Sequence, residues 1–431
     1  MMKRMSLCVF FLTLCVLFTC GLLHPANQDR EKRILTITEE ITPEIVSIRR
    51  TIHARPELFF QERETSALVA HYLKKLGIEV KTGIAGTGVL GILRGSKPGR
   101  VVGMRADMDA LPIREETGLP FASEVTAELD GREVGVMHAC GHDVHTSVLL
   151  GVAAILSRLR DELPGTVLFI AQPAEERGDG ANEMLKAGVF NEIRPEALFA
   201  FHVSDTVKAG YITYTPGYAG ANCDGFTLVI KSEGCHGADP DACVDPIVVG
   251  AQVVLSLQVL VSREVDVHND TVITVGSFHA GAASNVIPQK AELRATIRSY
   301  REEQRKVLRG KVERLITNIC EAAGAQFDLD YYFGTPSLYN DPGLMTEILP
   351  TVERLLGGKK FLVEDPPEMG GEDFSYFARE IPSVMLNLGV VPKDVEKTSV
   401  HSPTFVVDEE GIPVGIKVMS SIIFDYLSRR K

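Results

Sequence analysis

The chain has 431 residues, 45% of them hydrophobic and 24% charged, with a formal net charge of -12. That length provides for two or three domains and a sizeable core. The acidic balance argues against nucleic acid or an anionic membrane surface as the main partner, since both need a basic face.

Lys3 and Arg4 precede an almost unbroken apolar run over residues 6–23. A short basic start before such a run reads as a signal peptide or, if retained, an N-terminal anchor. Residues 1–33 are assigned to this leader and set outside the fold. The folded part is expected to be exported: secreted, periplasmic or membrane-tethered. Of the eight cysteines, Cys8, Cys15 and Cys20 fall in the leader. The others, Cys140, Cys223, Cys235, Cys243 and Cys320, are odd in number and irregularly spaced, which is not the pattern of a disulfide framework.

Helical apolar spacing over 42–55 and 61–76 is broken at Arg55-Pro56 and ended by Gly77. Strands are predicted over 88–93 and 100–104, a buried helix over 146–159, and strands over 166–171 and 198–202. Strands alternating with helices imply an α/β layer with a mainly parallel sheet, and ligand sites of such sheets form just past the strand ends. The pattern then changes to strand 226–231, helix 246–262, strands 271–278 and 291–299, helix 302–323 and strand 326–332. That β-α-β-β-α-β order is a ferredoxin-like unit of its own. It is read as a domain at 219–332, inserted into a catalytic domain made of 34–218 and 333–431. The first layer resumes with helix 343–356, strand 384–388 and a final helix over 409–427.

The decapeptide 136–145, V-M-H-A-C-G-H-D-V-H, concentrates His138, Cys140, His142, Asp143 and His145. Cys140 and His142, two residues apart, share one side of an extended or turning segment and can meet one metal ion. Asp143 is placed to orient a ring nitrogen from behind. A Cys and some His near a surface are commonplace, so the weight comes from donors further on. Q-P-A-E-E at 172–176 follows the buried strand 166–171. Glu175 and Glu176 point apart and can divide proton transfer from metal binding. His202 ends the strand 198–202, and His401 lies in V-H-S-P-T-F. Cys140, His142, Glu176, His202 and His401 exceed the three protein ligands usual for one catalytic zinc ion. They fit a two-metal site with a bridging ligand and water.

With these donors in place, the motifs R-A-D-M-D-A-L-P, M-H-A-C-G-H-D-x-H, Q-P-A-E-E, G-x-H-G-A, N-V-I-P, T-I-R, M-G-G-E-D-F and H-S-P-x-F run in order from Arg105 to Phe405. As a set they resemble the aminoacylase/carboxypeptidase family of dinuclear metallopeptidases. Within it they resemble the branch of hippurate hydrolases, N-acyl-amino-acid amidohydrolases and auxin-conjugate hydrolases. The resemblance implies that Cys140, His142, Glu176, His202 and His401 bind two divalent ions, manganese or zinc. It implies Glu175 as general base and acid, and Asp109, in preference to Asp107, as the carboxylate supporting the metal site. His236 would stabilise the oxyanion, often across a dimer in related enzymes. Asn285 and Arg298 would hold a substrate carboxylate, and Gly370 and Gly371 would line the site. The implied reaction is hydrolysis of an N-acyl amino acid to a carboxylic acid and an amino acid, with a dipeptidase or carboxypeptidase activity, or a non-catalytic metal-dependent binding protein, as alternatives. The inserted domain would act as lid and homodimer contact. This chain departs from the family pattern at Cys235, where a glycine is usual, at Pro240-Asp241, where Pro-His is usual, and after His202, where a proline is common. These departures bear on substrate choice and leave the metal donors untouched.

Overall fold

The computed structural model describes residues 25–358, 360–363 and 367–429. The apolar leader segment 6–23, with Cys8, Cys15 and Cys20, lies outside the described residues. The first described helix, Pro25–His53, starts inside the stretch assigned to the leader and runs through Pro43. Thr42-Pro43 looks like a helix start, because proline suits the first turn. Ile34, Ile41 and Ile45 are nevertheless all buried, so one apolar face carries the helix across that point. Arg30 pairs with Asp425 and lies 4.5 Å from the Phe424 ring centroid, and Arg33 pairs with Glu162. The fold therefore begins before residue 34.

A central sheet has the spatial order Glu79–Ile84, Gly88–Arg94, Pro164–Gln172, Lys97–Asp107, Ala197–Lys208, Ser383–Val391, Ile212–Tyr214, Phe361–Val363. The four middle strands, from Pro164–Gln172 to Ser383–Val391, are mutually parallel, and antiparallel neighbours flank them. Their side chains are buried on both faces, as a sheet covered by helices requires. Helices Pro25–His53, His142–Arg158 and Gly411–Ser428 cover one face, and the short helices Gly180–Lys186 and Phe374–Glu380 cover the other. Helices 142–158 and 411–428 approach closely because Gly151 has no side chain: a Cβ there would stand 2.4 Å from Ile416 Cδ1.

Residues from Asp224 onward carry a second, antiparallel sheet in the order Thr271–Ala280, Lys290–Ser299, Asp224–Lys231, Gln326–Tyr332. Helices Pro246–Glu264 and Glu302–Ala322 pack on it, and Phe226, Leu228, Val253, Leu257, Leu293, Ile297, Val312 and Ile316 form a core separate from the first. At the junction Arg305 Nε donates to both Asp224 carboxylate oxygens at 2.8 Å, and Gly334 N donates to the same carboxylate at 3.1 Å. One disulfide, Cys235–Cys243, ties the loop after Asp224–Lys231. Composition gave no sign of it, because a single short bridge leaves an odd remainder: Cys140, Cys223 and Cys320 are free.

Candidate metal centre

Site residues gather at the carboxyl ends of the parallel strands. Lys97–Asp107 runs out into Asp107 and Asp109, Pro164–Gln172 into Glu175 and Glu176, and Ala197–Lys208 carries His202. The cysteine-histidine segment takes the turning form: the helix His142–Arg158 begins at His142 itself, with Gly141 before it at φ 82°. A Cβ on Gly141 would lie 2.6 Å from Val203 Cγ2, so both conformation and space demand glycine between the two donors. The left-handed residue turns the chain so that Cys140, just before the helix, and His142, in its first turn, face one point.

Cys140 Sγ lies 3.5 Å from His202 Nε2. His142 Nε2 stands 3.8 Å from Glu176 Oε1 and 3.9 Å from Glu175 Oε2, and His401 Nε2 stands 3.5 Å from the same Glu176 oxygen. Two triplets of converging donor atoms share Cys140: one with His142 and His202, one with Glu176 and His401. His142 Nδ1 donates to the Asp109 carbonyl at 2.9 Å and His202 Nδ1 to the Val203 carbonyl at 2.7 Å. Each bond fixes the tautomer that turns a bare Nε2 toward the centre. Buried His142 Nε2 and Glu176 Oε1 have no hydrogen-bond partner. Buried polar atoms are ordinarily paired. A mixed S, N and O set with such orphaned acceptors fits a pair of divalent ions, which Cys140, His142, Glu176, His202 and His401 would hold, and the donor types suit zinc or manganese.

Electrostatics sharpen this. Burial and the Glu176 charge push the Cys140 thiol up, but His202 and His142 outweigh them and bring it down to about 7. Burial raises Glu175 well above the usual carboxylate range, reinforced by Glu372, Glu176 and Asp373. A carboxyl held in this way at the rim of the centre is placed to exchange a proton with a group bound in front of it.

Asp109 sits behind the ligands. Its Oδ1 and Oδ2 accept from the Glu175 and Glu176 amides, both at 3.0 Å, and Oδ1 lies 3.3 Å from His142 Nδ1. Ala174, at φ 54°, makes the turn that presents those amides. Asp107 faces the opposite side of His142, 3.7 Å from Nε2, and accepts from His145 Nδ1 at 2.6 Å. His145 Nε2 in turn accepts from Val203 N at 2.9 Å. Burial lowers the His145 pKa to about 4, so the ring is a neutral strut.

A cleft of about 680 Å³ opens over the centre. Cys140, Glu175, Glu176, His202, Arg298, Gly370, Gly371 and His401 all line it, with His142 and Asp109 buried beneath. His236 and Asn285 do not line it. His236 belongs to the two-residue ladder Cys235–His236 with Val286–Ile287, and Asn285 just precedes that ladder, its carbonyl accepting from Gly237 N at 2.8 Å. His236 is exposed, and its Nδ1 accepts from Ala238 N at 3.0 Å. Within one chain neither residue belongs to the site, because their loop projects from the second sheet. Asp143, expected to orient a ring at the centre, holds His53 Nδ1 at 2.8 Å and Arg49 Nε at 2.7 Å, both on the first helix. Sequence reasoning missed Arg105, which donates to Gln172, Asp107, Glu372 and Asp373 while fully buried. It also missed Glu62, whose Oε1 accepts from Ala174 N at 2.9 Å. Arg105, Glu372 and Asp373 stood in quoted motifs; an arginine at a buried strand end beside acidic motif partners was the available signal.

Fold and site together define a metal-dependent hydrolase of the dinuclear type. The model of peptidase family M20/M25/M40 matches residues 103–425, and the chain belongs to that family. The chain is 36% identical over 379 residues to an N-acetylcysteine deacetylase of Bacillus subtilis, covering 88% of this chain and 95% of that one. To thermostable carboxypeptidase 1 of Saccharolobus solfataricus it is 36% identical over 395 residues, covering 90% and 96%. The crystal structure of a dinuclear metal binding peptidase of the M20 family from Bacillus subtilis superposes with a TM-score of 0.77 at 33% identity, covering 90% of this chain and 99% of that one.

Proposed function

We propose that the protein hydrolyses the amide bond of N-acyl amino acids, releasing a carboxylic acid and an amino acid. The observation that carries this reading is the position of Glu175: half-buried at the floor of the cleft that Arg298 also lines, 3.9 Å from the His142 ring nitrogen, with its carboxyl pushed up by desolvation and by Glu372, Glu176 and Asp373. Cys140, His142, Glu176, His202 and His401 would hold two divalent ions, manganese or zinc. The chemistry such a pair supplies is polarisation of the amide carbonyl and a lowered pKa for the attacking water. Glu175 takes the proton from that water and returns it to the leaving nitrogen, without which an amide does not expel its amine. Asp109 fixes Glu175 and Glu176 through their backbone amides. Arg298, whose Nε donates to Thr296 Oγ1 at 3.1 Å, presents its guanidinium to the substrate carboxylate, which it can bind through two parallel bonds. The glycines Gly370 and Gly371 leave room for substrate beside it.

His236 and Asn285 are assigned to the site of a second copy, making the working unit a homodimer through the second domain. The helix Pro246–Glu264 supports this, because Val248, Leu255 and Val259 are 52%, 69% and 57% exposed. Three large apolar side chains on one outer helix face ask for a cover. An exported location is supported by the apolar segment 6–23 and by the Cys235–Cys243 bridge, since disulfides persist in oxidising compartments.

The test is amine release from N-acyl amino acids and free dipeptides by protein beginning at Pro25, loaded separately with manganese and zinc. Cleavage of blocked amino acids, lost in Glu175→Gln with metal retained, is the expected result. The likeness to a carboxypeptidase favours one second reading, which cleavage of dipeptides alone would establish.

A further inference from the structure

We propose that the Cys235–Cys243 disulfide is a positioning brace for turnover: it aims the His236 ring at the site of a second copy, and opening it lowers kcat while bound metal, dimer and KM stay as they are. This rests on the reading of His236 as a donor supplied across the homodimer and deepens it.

Every residue from His236 to Ala242 is exposed, so apolar packing does not fix the path of this loop. Its outgoing arm is tied to Val286–Ile287 by the two-residue ladder and to Asn285 O by Gly237 N. The returning arm makes turn bonds within the loop, from Asp239 N to His236 O at 2.9 Å and from Ala242 N to Asp239 O at 3.1 Å. The disulfide fastens that arm back to Cys235 across a Cα separation of 6.0 Å. Covalent closure of a short loop restricts the conformations that exposure would otherwise allow.

The aim of His236 depends on that path. Cys235 and His236 are consecutive in a ladder, so their side chains leave on opposite faces. The bridge therefore pins the strand from one side and leaves the ring clear on the other. Ala238 N donates to His236 Nδ1 at 3.0 Å. A neutral imidazole whose Nδ1 accepts carries its proton on Nε2. An Nε2–H so presented is the kind of donor that a developing oxyanion needs. Ala238 lies inside the closed loop, so the bridge holds the amide that orients the ring.

The loop also runs straight into the face assigned to the dimer. At its neck Ser232 Oγ donates to Val244 O at 2.6 Å. The next residue, Asp245, caps the helix Pro246–Glu264 by accepting from Ile247 N at 2.9 Å. That helix bears the exposed Val248, Leu255 and Val259. Neck and cap use no sulfur, so opening the bridge frees the loop and leaves the helix and its apolar face in place.

The experiment is a double-mutant cycle on the metal-loaded protein. kcat and KM are measured on whichever of acetyl-, benzoyl- or indoleacetylalanine or dialanine is cleaved fastest. Cys235→Ala with Cys243→Ala removes the bridge and leaves no thiol on the loop, and His236→Ala removes the donor. Bound metal per chain and sedimentation report the folded dimer. His236→Ala should lower kcat by about 100-fold or more, as loss of one oxyanion donor does, and opening the bridge should lower it by about 10-fold or more. In the His236→Ala background the same opening should change kcat by less than about 2-fold, because a brace with nothing to aim has no further effect. KM, metal content and sedimentation should match the parent throughout. An equal loss in both backgrounds, or a bridge-free kcat within about 2-fold of the parent, overturns the brace. A loss recovered at higher protein concentration also overturns it, since the bridge would then act on association. Full kcat in His236→Ala overturns the brace and the assignment of His236 together, while the amidohydrolase reading stands. Cleavage of dialanine alone overturns that reading and leaves the cycle to decide the brace; no turnover of either class overturns both.

Discussion

Replacing Glu62 by glutamine should make the protein more stable at neutral and alkaline pH. Glu62 is 0% exposed, and burial, the largest influence on it, raises its pKa from 4.5 to about 7 against the opposing bonds from Thr87 and the backbone. The folded chain thus holds a proton that the unfolded chain releases between those two values. Below about pH 4.5 both states are protonated and the group contributes no penalty. As pH rises through about 7 the penalty grows, then levels off once the folded carboxyl has ionised. One pKa unit corresponds to ~1.4 kcal/mol, so the plateau is on the order of 3 kcal/mol. Glutamine keeps the geometry. Glu62 Oε1 accepts from Phe60 N and Ala174 N, both at 2.9 Å, which the glutamine oxygen can keep, and Oε2 accepts from Thr87 Oγ1 at 2.5 Å, where the glutamine NH2 would donate once that hydroxyl turns to accept. Urea midpoints measured at pH 5 and pH 8 with unchanged m-values are the assay. Wild type and variant should differ by less than about 1 kcal/mol at pH 5, with the variant ahead by about 2–3 kcal/mol at pH 8. A variant that is weaker at pH 8, or a pH slope identical in the two proteins, would refute the claim that Glu62 is carried as a buried neutral acid.

Gly141→Ala should cost about 2 kcal/mol or more through its left-handed backbone and the clash with Val203, and should lower bound metal measured by elemental analysis. Glu175→Gln should retain both ions and lose about 10²–10⁴ in kcat, read from steady-state kinetics alongside metal content. Opening the Cys235–Cys243 bridge with Cys243→Ser should lower stability by about 2 kcal/mol, as loop closure over so short a separation implies, seen as a lower urea midpoint that reductant no longer shifts. Arg305→Met should destabilise by about 3–5 kcal/mol, because the buried Asp224 carboxylate loses its charge partner, and Asp224→Asn added to it should recover part of that loss.

Much of this architecture is legible because period and punctuation agree with burial. The run 166–171 reads as a buried strand and lies inside Pro164–Gln172, and the order of elements after residue 224 names the second sheet before its pairing is seen. Local signals fail where tertiary packing decides. Nothing near Pro43 says that the helix continues upstream, because its reason is Asp425 and Phe424, some four hundred residues away. Likewise Glu62 reads as one acid among several at the start of an amphipathic helix, yet it fixes Ala174, and so the turn that aims Glu175.

The division within the site follows the same logic. Residues proposed to hold the ions are of ligand types, His, Cys and Glu, at motif spacing, so their types betray them. Residues that hold those ligands need only a donor or an acceptor at the right place, as Asp109 shows by serving His142, Glu175 and Glu176 at once. His236 is the opposite case: its type and motif point to catalysis, but its own chain places it on an exposed loop outside the cleft. If a second copy supplies it, the monomer is an incomplete enzyme. Activity would then fall with dilution below the dimer's dissociation constant, while metal binding, which needs residues of one chain alone, would not.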